Sequence, residues 1–408
     1  MQLISLSNGM RLVYCKQSNV NSVNIGYWVN VGSFDEDPSE SGIAHFFEHM
    51  VFKGTTTRTA KQIACEIEDV GGYINAYTSR EVTAFYARVL KKDLDLAADI
   101  LTDMLTAPTF PEDELERERS VVLQEILQSN DTPDEVVFDH FYHSLYKTHA
   151  YRHPVLGYMN VLKALTVDDL YRFKKKCYLS NNVILAIVGD IEEGDALRVG
   201  ERCASCFDVG EKQRESVVCE VDKQCFYDIR DIEQVHIIYG CDGVNISHED
   251  YYTSQVYASI LGTGSSSRLF QDIREAKGLA YSIYACSTST SKTGAFYVYS
   301  ATSPEFVDSL LASLRDQIQQ IATAISEEEL CRAQAQMQAA ILMTSDNPFC
   351  ICEQMASQAM LFDRLLPEKE LLASVQSVKA DMVLRYAQTI AGTDFALCTV
   401  GAKRYDAL

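Results

Sequence analysis

The chain has 408 residues, of which 47% are hydrophobic and 23% charged, a composition typical of a folded globular protein rather than of a disordered or fibrous one. Its formal net charge of −21 argues against nucleic acid as a partner, because phosphates would be repelled, and favours a basic substrate, although an acidic surface also serves solubility alone. We find no export signal and no apolar run near the roughly 20 residues that cross a bilayer, and therefore expect no membrane span.

The thirteen cysteines are scattered and odd in number. The close pairs are Cys203 with Cys206 and Cys350 with Cys352, and neither is accompanied by a second pair or by histidine at zinc-finger spacing. We therefore expect reduced thiols in packing roles rather than disulfides or a cysteine metal site.

The first half of the chain alternates predicted strands and helices. In chain order they are a hairpin over 2–16, a strand over 22–31, a helix over 42–52, a helix ending at Gly71-Gly72, strands over 73–78 and 82–90, helices over 92–105, 111–128 and 133–146, and a strand over 181–188. Thr59 and Gln62 form a capping box for the second helix. This succession predicts an α+β domain that ends near residue 205.

The predicted helix over 42–52 contains the most informative motif, His45-Phe46-Phe47-Glu48-His49. Residues four apart share one helix face, so His45 and His49 can point ring nitrogens at one tetrahedral ion while Glu48 reaches water beside it. This order is the inverted zincin pattern H-x-x-E-H. The structural alternative is a pair of core histidines on an amphipathic helix.

The second half repeats the first. Three matching pairs of segments lie at offsets of 211, 212 and 215 residues: Ala84-Phe85-Tyr86 with Ala295-Phe296-Tyr297, Val188-Gly189 with Val400-Gly401, and Glu114-Leu115 with Glu329-Leu330. Such a long period indicates two copies of one domain rather than a solenoid. We therefore predict domains over 1–207 and 221–408 with a linker over 208–220, each domain an antiparallel sheet with helices packed on one face.

The two copies differ at the residues that could bind a metal. Glu118 and Glu125 lie two helical turns apart, and their counterparts are Ala333 and Ala340. The region opposite the histidine motif, 255–261, has neither His nor Glu. Because one copy has the whole set and the other lacks it, we infer that these residues work together, the alternative for Glu125 being a solvated helix position.

The motif and Glu125, which follows His49 by 76 positions, resemble the pitrilysin (inverzincin) family of zinc metallopeptidases, above all the β subunits of mitochondrial processing peptidases and their bacterial relatives. The likeness covers nearly the whole chain. It implies one Zn²⁺ per chain, with His45, His49 and Glu125 as ligands, Glu48 as general base and Glu118 helping to hold the ligands. A fourth position would remain for water, as a catalytic zinc requires.

The resemblance also implies residues that bind substrate. Asn75 and Ala76 would lie on an edge strand that holds an extended peptide by backbone hydrogen bonds, unless the segment is a simple hairpin entry. Arg274 and Tyr281 in the second copy match the family pair that contacts the substrate carbonyl, where they could stabilise an oxyanion. The alternative for Arg274 is a helix-surface charge.

Three more residues match processing-peptidase positions. Glu135 and Asp139 would recognise an arginine ahead of the cleavage site, and Phe52 would line a pocket for an apolar residue after it. The alternative for Glu135 is a capping box with Thr132 at the start of the helix. The alternative for Phe52 is ordinary core packing.

The sequence therefore predicts a zinc metalloendopeptidase for extended, basic peptides or presequence-like segments. The alternatives are a non-catalytic scaffold subunit and a general oligopeptide-degrading peptidase. By the resemblance we expect a homodimer in a bacterial cytoplasm, the alternative being a heterodimer with a non-catalytic homologue in the matrix of a mitochondrion-like organelle.

Overall fold

The computed structural model describes residues 1–147, 150–210 and 219–405, which form two compact units. The described N-terminal unit comprises 1–127, 153–210 and 343–366, and the C-terminal unit comprises 128–147, 150–152, 219–342 and 367–405. Each unit therefore includes a segment from the opposite half of the sequence. Residues 211–218 of the predicted linker lie outside the described residues, and the domain boundaries at 207 and 221 stay a prediction.

The strands form one sheet in each unit. They are β1 (Gln2–Ser5), β2 (Arg11–Lys16), β3 (Ser22–Val29), β4 (Tyr73–Thr78), β5 (Thr83–Leu90), β6 (Val183–Gly189), β7 (Phe226–Ile229), β8 (Val235–Gly243), β9 (Ser282–Ser289), β10 (Gly294–Thr302) and β11 (Ala396–Gly401). The first sheet has the order β1-β2-β6-β3-β5-β4 and the second β7-β11-β8-β10-β9. Neighbouring strands are antiparallel except for β2 with β6 and β7 with β11. In this order β4 and β9 are edge strands, next to β5 and β10 respectively.

The helices complete both units. They are α1 (Ile43–Met50), α2 (Ala60–Glu68), α3 (Leu94–Thr106), α4 (Glu112–Asn130), α5 (Pro133–Leu145), α6 (Met159–Leu162), α7 (Val167–Cys177), α8 (Glu193–Ala204), α9 (Tyr251–Gly262), α10 (Val307–Ile321), α11 (Glu327–Thr344), α12 (Pro348–Phe362), α13 (Glu368–Ser377) and α14 (Ala380–Ala391). A short π-helix spans Phe270–Ala276. Within the described ranges, no helix is long and apolar enough to cross a membrane.

The N-terminal sheet is covered on both faces. Its central strand β6, with the apolar sequence VILAIVG, is buried along its whole length, as expected for a strand between two layers. One face packs against α1, α3 and α8 in the main core. On the other face Val13, Trp28 and Ile184 pack against Ile351 and Met355 of α12, a helix from the second half of the sequence.

The C-terminal sheet repeats this arrangement. On β10, Phe296 and Val298 point into the main core of the unit, whereas Tyr297 points to the opposite face, because successive side chains of a strand alternate. There Phe138 and Phe141 of α5 pack against it, with ring centroids 5.4 and 5.7 Å from that of Tyr297. Each sheet is thus covered on its second face by one helix.

The α+β class with two similar domains is confirmed. The hairpin over 2–16 and the Thr59 capping box form as predicted. Two features go beyond the prediction of antiparallel sheets with helices on one face. Each sheet contains one parallel pair, and each second face is covered by α12 or α5, a contact between distant segments that strand periodicity does not reveal.

Candidate metal centre

Helix α1 presents the motif because its apolar residues are buried on the opposite side. Ile43, Phe46, Phe47 and Met50 are fully buried, whereas His45, Glu48 and His49 remain partly exposed. The helix begins after Gly42, whose φ of +94° is unfavourable for other residues and whose Cα faces Leu156 O closely enough that a Cβ would lie 2.8 Å from it.

A buried carboxylate caps this helix. Glu36 Oε2 accepts a hydrogen bond from the Gly42 N–H at 2.7 Å and Oε1 one from the Ala44 N–H at 2.9 Å. These two N–H groups belong to the first turn, which has no carbonyl partners of its own. Burial raises the pKa of Glu36 to about 8, against the effect of both hydrogen bonds. Glu36 thereby fixes the start of the helix that carries the histidines.

The two histidines meet Glu125 of α4. Glu125 Oε2 lies 3.7 Å from His45 Nε2 and 3.6 Å from His49 Nε2, and the candidate ligand atoms of the three residues all lie within 4.8 Å of one another. Zinc bonds to nitrogen and oxygen of about 2.1 Å give a tetrahedron with edges of roughly 3.4 Å. The spacing of these donors therefore fits Zn²⁺.

The surroundings keep one imidazole neutral. Burial, with a smaller contribution from His49, lowers the pKa of His45 to about 3. A neutral imidazole is the form that ligates a metal. His45 Nδ1 is buried and has no hydrogen-bond partner among the described residues, which leaves its ring held by packing alone.

The other imidazole has a carboxylate behind it. His49 Nδ1 lies 3.1 Å from Glu118 Oε2, and Glu118 Oε1 lies 2.6 Å from Lys53 Nζ. Glu118 is 7% exposed, on the buried face of α4. The hydrogen bond at Nδ1 leaves Nε2 of His49 to face Glu125.

Glu48 stands beside this cluster. Its Oε2 accepts a hydrogen bond from Thr78 Oγ1 at 2.6 Å, at the end of β4. Burial raises the pKa of Glu48, partly offset by Thr78 and His49. A carboxylate with a raised pKa near a metal centre is suited to accept and return a proton near neutral pH.

Strand β4 is an edge of the N-terminal sheet, because β5 is its neighbour on one side and no described strand pairs with the other. The Ala76 N–H is bonded to the side chain of Asn75, at 2.9 Å from Oδ1, and not to β5. It therefore points to the open edge. Phe52 lies partly buried against the main core, in the short 3₁₀ helix Val51–Lys53.

The remaining predicted substrate residues belong to the C-terminal unit. Arg274 of the π-helix lies over the ring of Tyr281, with its guanidinium carbon 4.4 Å from the ring centroid, so the structure brings this pair together. Tyr281 is 76% exposed. Glu135 and Asp139 lie on α5. The predicted capping box at Thr132 does not form, because Thr132 makes no side-chain cap hydrogen bond and Glu135 accepts one from Ser129 Oγ at 2.7 Å instead.

Sequence reasoning missed three residues that support the centre: Glu36, Lys53 and Thr78. Lys53 follows His49 by four positions, a spacing that could have indicated a shared helix face. Glu36 lies in a polar loop just before a helix, where an acidic cap is common. Thr78 has no such signal, because its contact with Glu48 spans 30 residues.

The second copy lacks an equivalent centre within the part of the chain that the structure describes. Ala333, the counterpart of Glu118, is buried on α11. No disulfide joins the cysteines in the part of the chain that the structure describes.

Comparison with known proteins agrees with this geometry. Residues 11–158 match the family model described as insulinase (peptidase family M16), and residues 164–337 match the peptidase M16 inactive domain. An uncharacterized zinc protease of Rickettsia felis is 36% identical over 94% of this chain and 93% of its own length. A probable mitochondrial-processing peptidase subunit beta of Arabidopsis thaliana is 28% identical over 98% of this chain and 78% of its own.

Solved structures have the same fold. A protease from Helicobacter pylori superimposes with a TM-score of 0.91 at 20% identity, over 98% of this chain and 99% of its own. A peptidase M16 inactive domain from Pseudomonas fluorescens gives a TM-score of 0.91 at 19% identity, over 99% of this chain and 98% of its own.

Proposed function

Because the chain belongs to peptidase family M16 and is a zinc metallopeptidase, we propose that it is an endopeptidase for extended, basic peptides or presequence-like segments. The observation that carries the proposal is the convergence of His45, His49 and Glu125 within 4.8 Å, beside Glu48. Acidic net charge supports a basic substrate, since opposite charge raises the rate of encounter.

Each residue of the centre has a proposed role. His45, His49 and Glu125 would hold the zinc ion, which when bound polarises a peptide carbonyl and makes a neighbouring water more acidic. Glu48 would take the proton from that water as it attacks the carbonyl carbon, and then deliver it to the leaving amine nitrogen. Because Thr78 holds Oε2, Oε1 is the atom left to carry the proton.

The other predicted residues would bind substrate. The open edge of β4, at Asn75 and Ala76, would add the peptide as a further strand. Phe52 would contact an apolar residue after the cut. In the C-terminal unit, Arg274 and Tyr281 would donate hydrogen bonds to the carbonyl oxygen as charge develops on it.

Zinc analysis combined with a cleavage assay on a presequence-like peptide tests the proposal. We expect about one zinc per chain, cleavage that a chelator abolishes, and a loss of 10²- to 10⁴-fold in kcat/KM for Glu48→Gln with zinc retained, the range that general-base catalysis supplies. Glu68→Gln, an exposed glutamate of α2, is the control. Metal-free protein of normal fold would support the scaffold alternative.

A second assay separates a processing enzyme from a general oligopeptidase. Peptides with and without arginine two residues before the cut are compared for the parent, Glu135→Gln and Asp139→Asn. A preference for arginine that one of these variants removes would support processing specificity. Equal cleavage of both peptides by the parent would support the oligopeptidase.

We also propose that the chain forms a homodimer, since it has both the metal-binding residues and the Arg274–Tyr281 pair. A heterodimer with a non-catalytic homologue is the alternative, motivated by the relative named as a processing-peptidase subunit. Light scattering of the purified chain decides: an active dimer supports the first arrangement, and an inactive monomer that gains activity with a partner supports the second.

A further inference from the structure

The C-terminal unit contains an open cavity of about 410 Å³. Its lining comes from α5, from the π-helix and from the β9–β10 pair: Asp134, Phe138, Arg274, Tyr281, Ser282, Ile283, Tyr284 and Tyr299. The volume lies within the range of small-ligand pockets, and half of the lining residues are aromatic. It is therefore large enough for a long side chain.

The cavity is lined by aromatic rings and by one carboxylate, that of Asp134. Phe138 and Tyr299 are stacked, with ring centroids 5.8 Å apart, and Tyr284 lies 5.2 Å from Tyr299. Asp134 makes no hydrogen bond or ion pair with any described residue. Arg274 also lines the cavity, but its guanidinium lies over Phe270 at 4.6 Å and Tyr281 at 4.4 Å and pairs with Glu275 at 3.8 Å rather than with Asp134. The carboxylate is thus available to a cation that enters along the rings.

We propose that this cavity binds an arginine or lysine side chain of the peptide substrate, with its charge at Asp134 and its methylene stem along Phe138 and Tyr299. The inference rests on the proposed peptidase function. It assigns basic recognition to a residue that the sequence resemblance did not indicate: Glu135 and Asp139 do not line the cavity. They lie roughly 100° further around α5 than Asp134 and Phe138, because each residue advances that angle.

A direct binding measurement tests this proposal without cleavage of the peptide. In a Glu48→Gln background, fluorescence anisotropy measures the affinity of a labelled basic peptide and of versions in which each basic residue in turn is norleucine. We expect one replacement to weaken binding about tenfold, the usual effect of a charged hydrogen bond. Asp134→Asn should remove the discrimination at that position, whereas Asp131→Asn, at an exposed acidic residue just before α5, should keep it.

The same experiment identifies failure. The inference is overturned if every position that discriminates in the parent still discriminates in Asp134→Asn, or if no position discriminates in the parent. Asp131→Asn removes a charge next to the first turn of α5, so a loss shared by both variants would show a general effect on the helix and would also overturn it. Failure of the peptidase proposal is a separate result, namely no cleavage of any peptide by the enzyme with Glu48 intact.

A second inference comes from the contact of Lys53 with Glu118 in the N-terminal unit. A carboxylate that is 7% exposed needs a partner for each oxygen, and Glu118 has Lys53 Nζ at 2.6 Å and His49 Nδ1 at 3.1 Å. The lysine therefore fixes the rotation of the carboxylate. That rotation in turn fixes the ring of His49, which is the imidazole with a hydrogen-bonded partner.

The geometry points to Lys53 as a positioning residue for the metal centre, acting through Glu118 on His49. The ring of His45 has no comparable support, because its Nδ1 has no hydrogen-bond partner in the described ranges. Loss of such supporting contacts typically lowers metal affinity 10- to 100-fold.

Competition with a coloured chelator measures the zinc dissociation constant. We expect it to rise 10- to 100-fold in Lys53→Met and about threefold or less in Lys53→Arg, which keeps the charge. Lys61→Met, at an exposed position of α2, is the control and should match the parent. Lys53→Gln replaces the methionine variant if the latter does not fold.

A double-mutant cycle with Glu118→Gln separates positioning from general destabilisation. If Lys53 acts through Glu118, Lys53→Met should cause little further loss of zinc affinity in that background. Additive losses, or parental zinc affinity in Lys53→Met, would overturn the inference. A parent that binds no zinc would instead contradict the metal centre itself.

Discussion

The two histidines of the metal centre lie on one helix, but different interactions hold their rings in place. His49 is oriented by a hydrogen bond to Glu118, whereas His45 relies on burial, which also keeps it neutral by lowering its pKa to about 3. Burial of a charged imidazole without a partner is costly, and the neutral form is the one that binds zinc. The position of the His45 ring therefore depends on the position of α1, whose first turn is held by Glu36.

Glu36 predicts a pH dependence of stability. Its pKa is about 8 in the folded protein, against 4.5 for an ordinary glutamate, so between these values the folded state holds a proton that the unfolded state releases. The free energy of unfolding should therefore fall as pH rises from about 4.5 to about 8, by at most about 1.4 kcal/mol per pH unit from this group. Glu36→Gln has no such titration.

Thermal unfolding of metal-free parent and variant between pH 5 and pH 9 checks this expectation. The Tm of the parent minus that of Glu36→Gln should decrease with pH across the window and level off above it. A difference that is constant, or that increases with pH, would show that hydrogen bonds from Gly42 and Ala44 keep Glu36 ionised.

Among the secondary-structure elements, the open edge of β4 bears directly on substrate binding, because a peptide could pair with it as a further strand. Ala76→Pro removes the N–H that points to this edge, and an edge strand tolerates proline where the N–H is not bonded to its neighbour. Loss of one backbone hydrogen bond to the peptide should raise KM about tenfold with zinc content unchanged. Ala76→Val keeps the N–H and is the matched control; equal KM values for both variants would contradict strand addition.

Much of the element order could be predicted from the sequence, because each segment shows a local period. Helix α1 was predicted over 42–52 and spans Ile43–Met50, and β4 has the predicted limits Tyr73–Thr78. Contacts between distant segments could not be predicted in this way. The parallel pairing of β2 with β6, the lysine behind Glu118 and the cavity at Asp134 all depend on residues that approach across long stretches of chain.

The whole molecule is built from two units that each use a helix from the opposite half of the sequence. Helix α12 covers the face of the N-terminal sheet that contains Val13, Trp28 and Ile184, and α5 covers the corresponding face of the C-terminal sheet. A large apolar side chain contributes about 1.5–3 kcal/mol when buried, and a domain has about 5–15 kcal/mol in total. Losing such a helix therefore removes a large share of the stability of its unit.

We accordingly expect that a fragment of residues 1–207, which ends where a duplicated domain would end, does not fold alone into a zinc-binding domain. Without α12, its sheet exposes Trp28 and the apolar side chains beside it. Addition of a peptide of residues 343–366 should restore cooperative unfolding and zinc binding, measured by calorimetry and chelator competition. The same peptide with Ile351→Asp and Met355→Asp should not, because it cannot bury charge on that face. If the fragment bound zinc and unfolded cooperatively without the peptide, the second face of the sheet would be dispensable and the exchanged helix would serve another purpose.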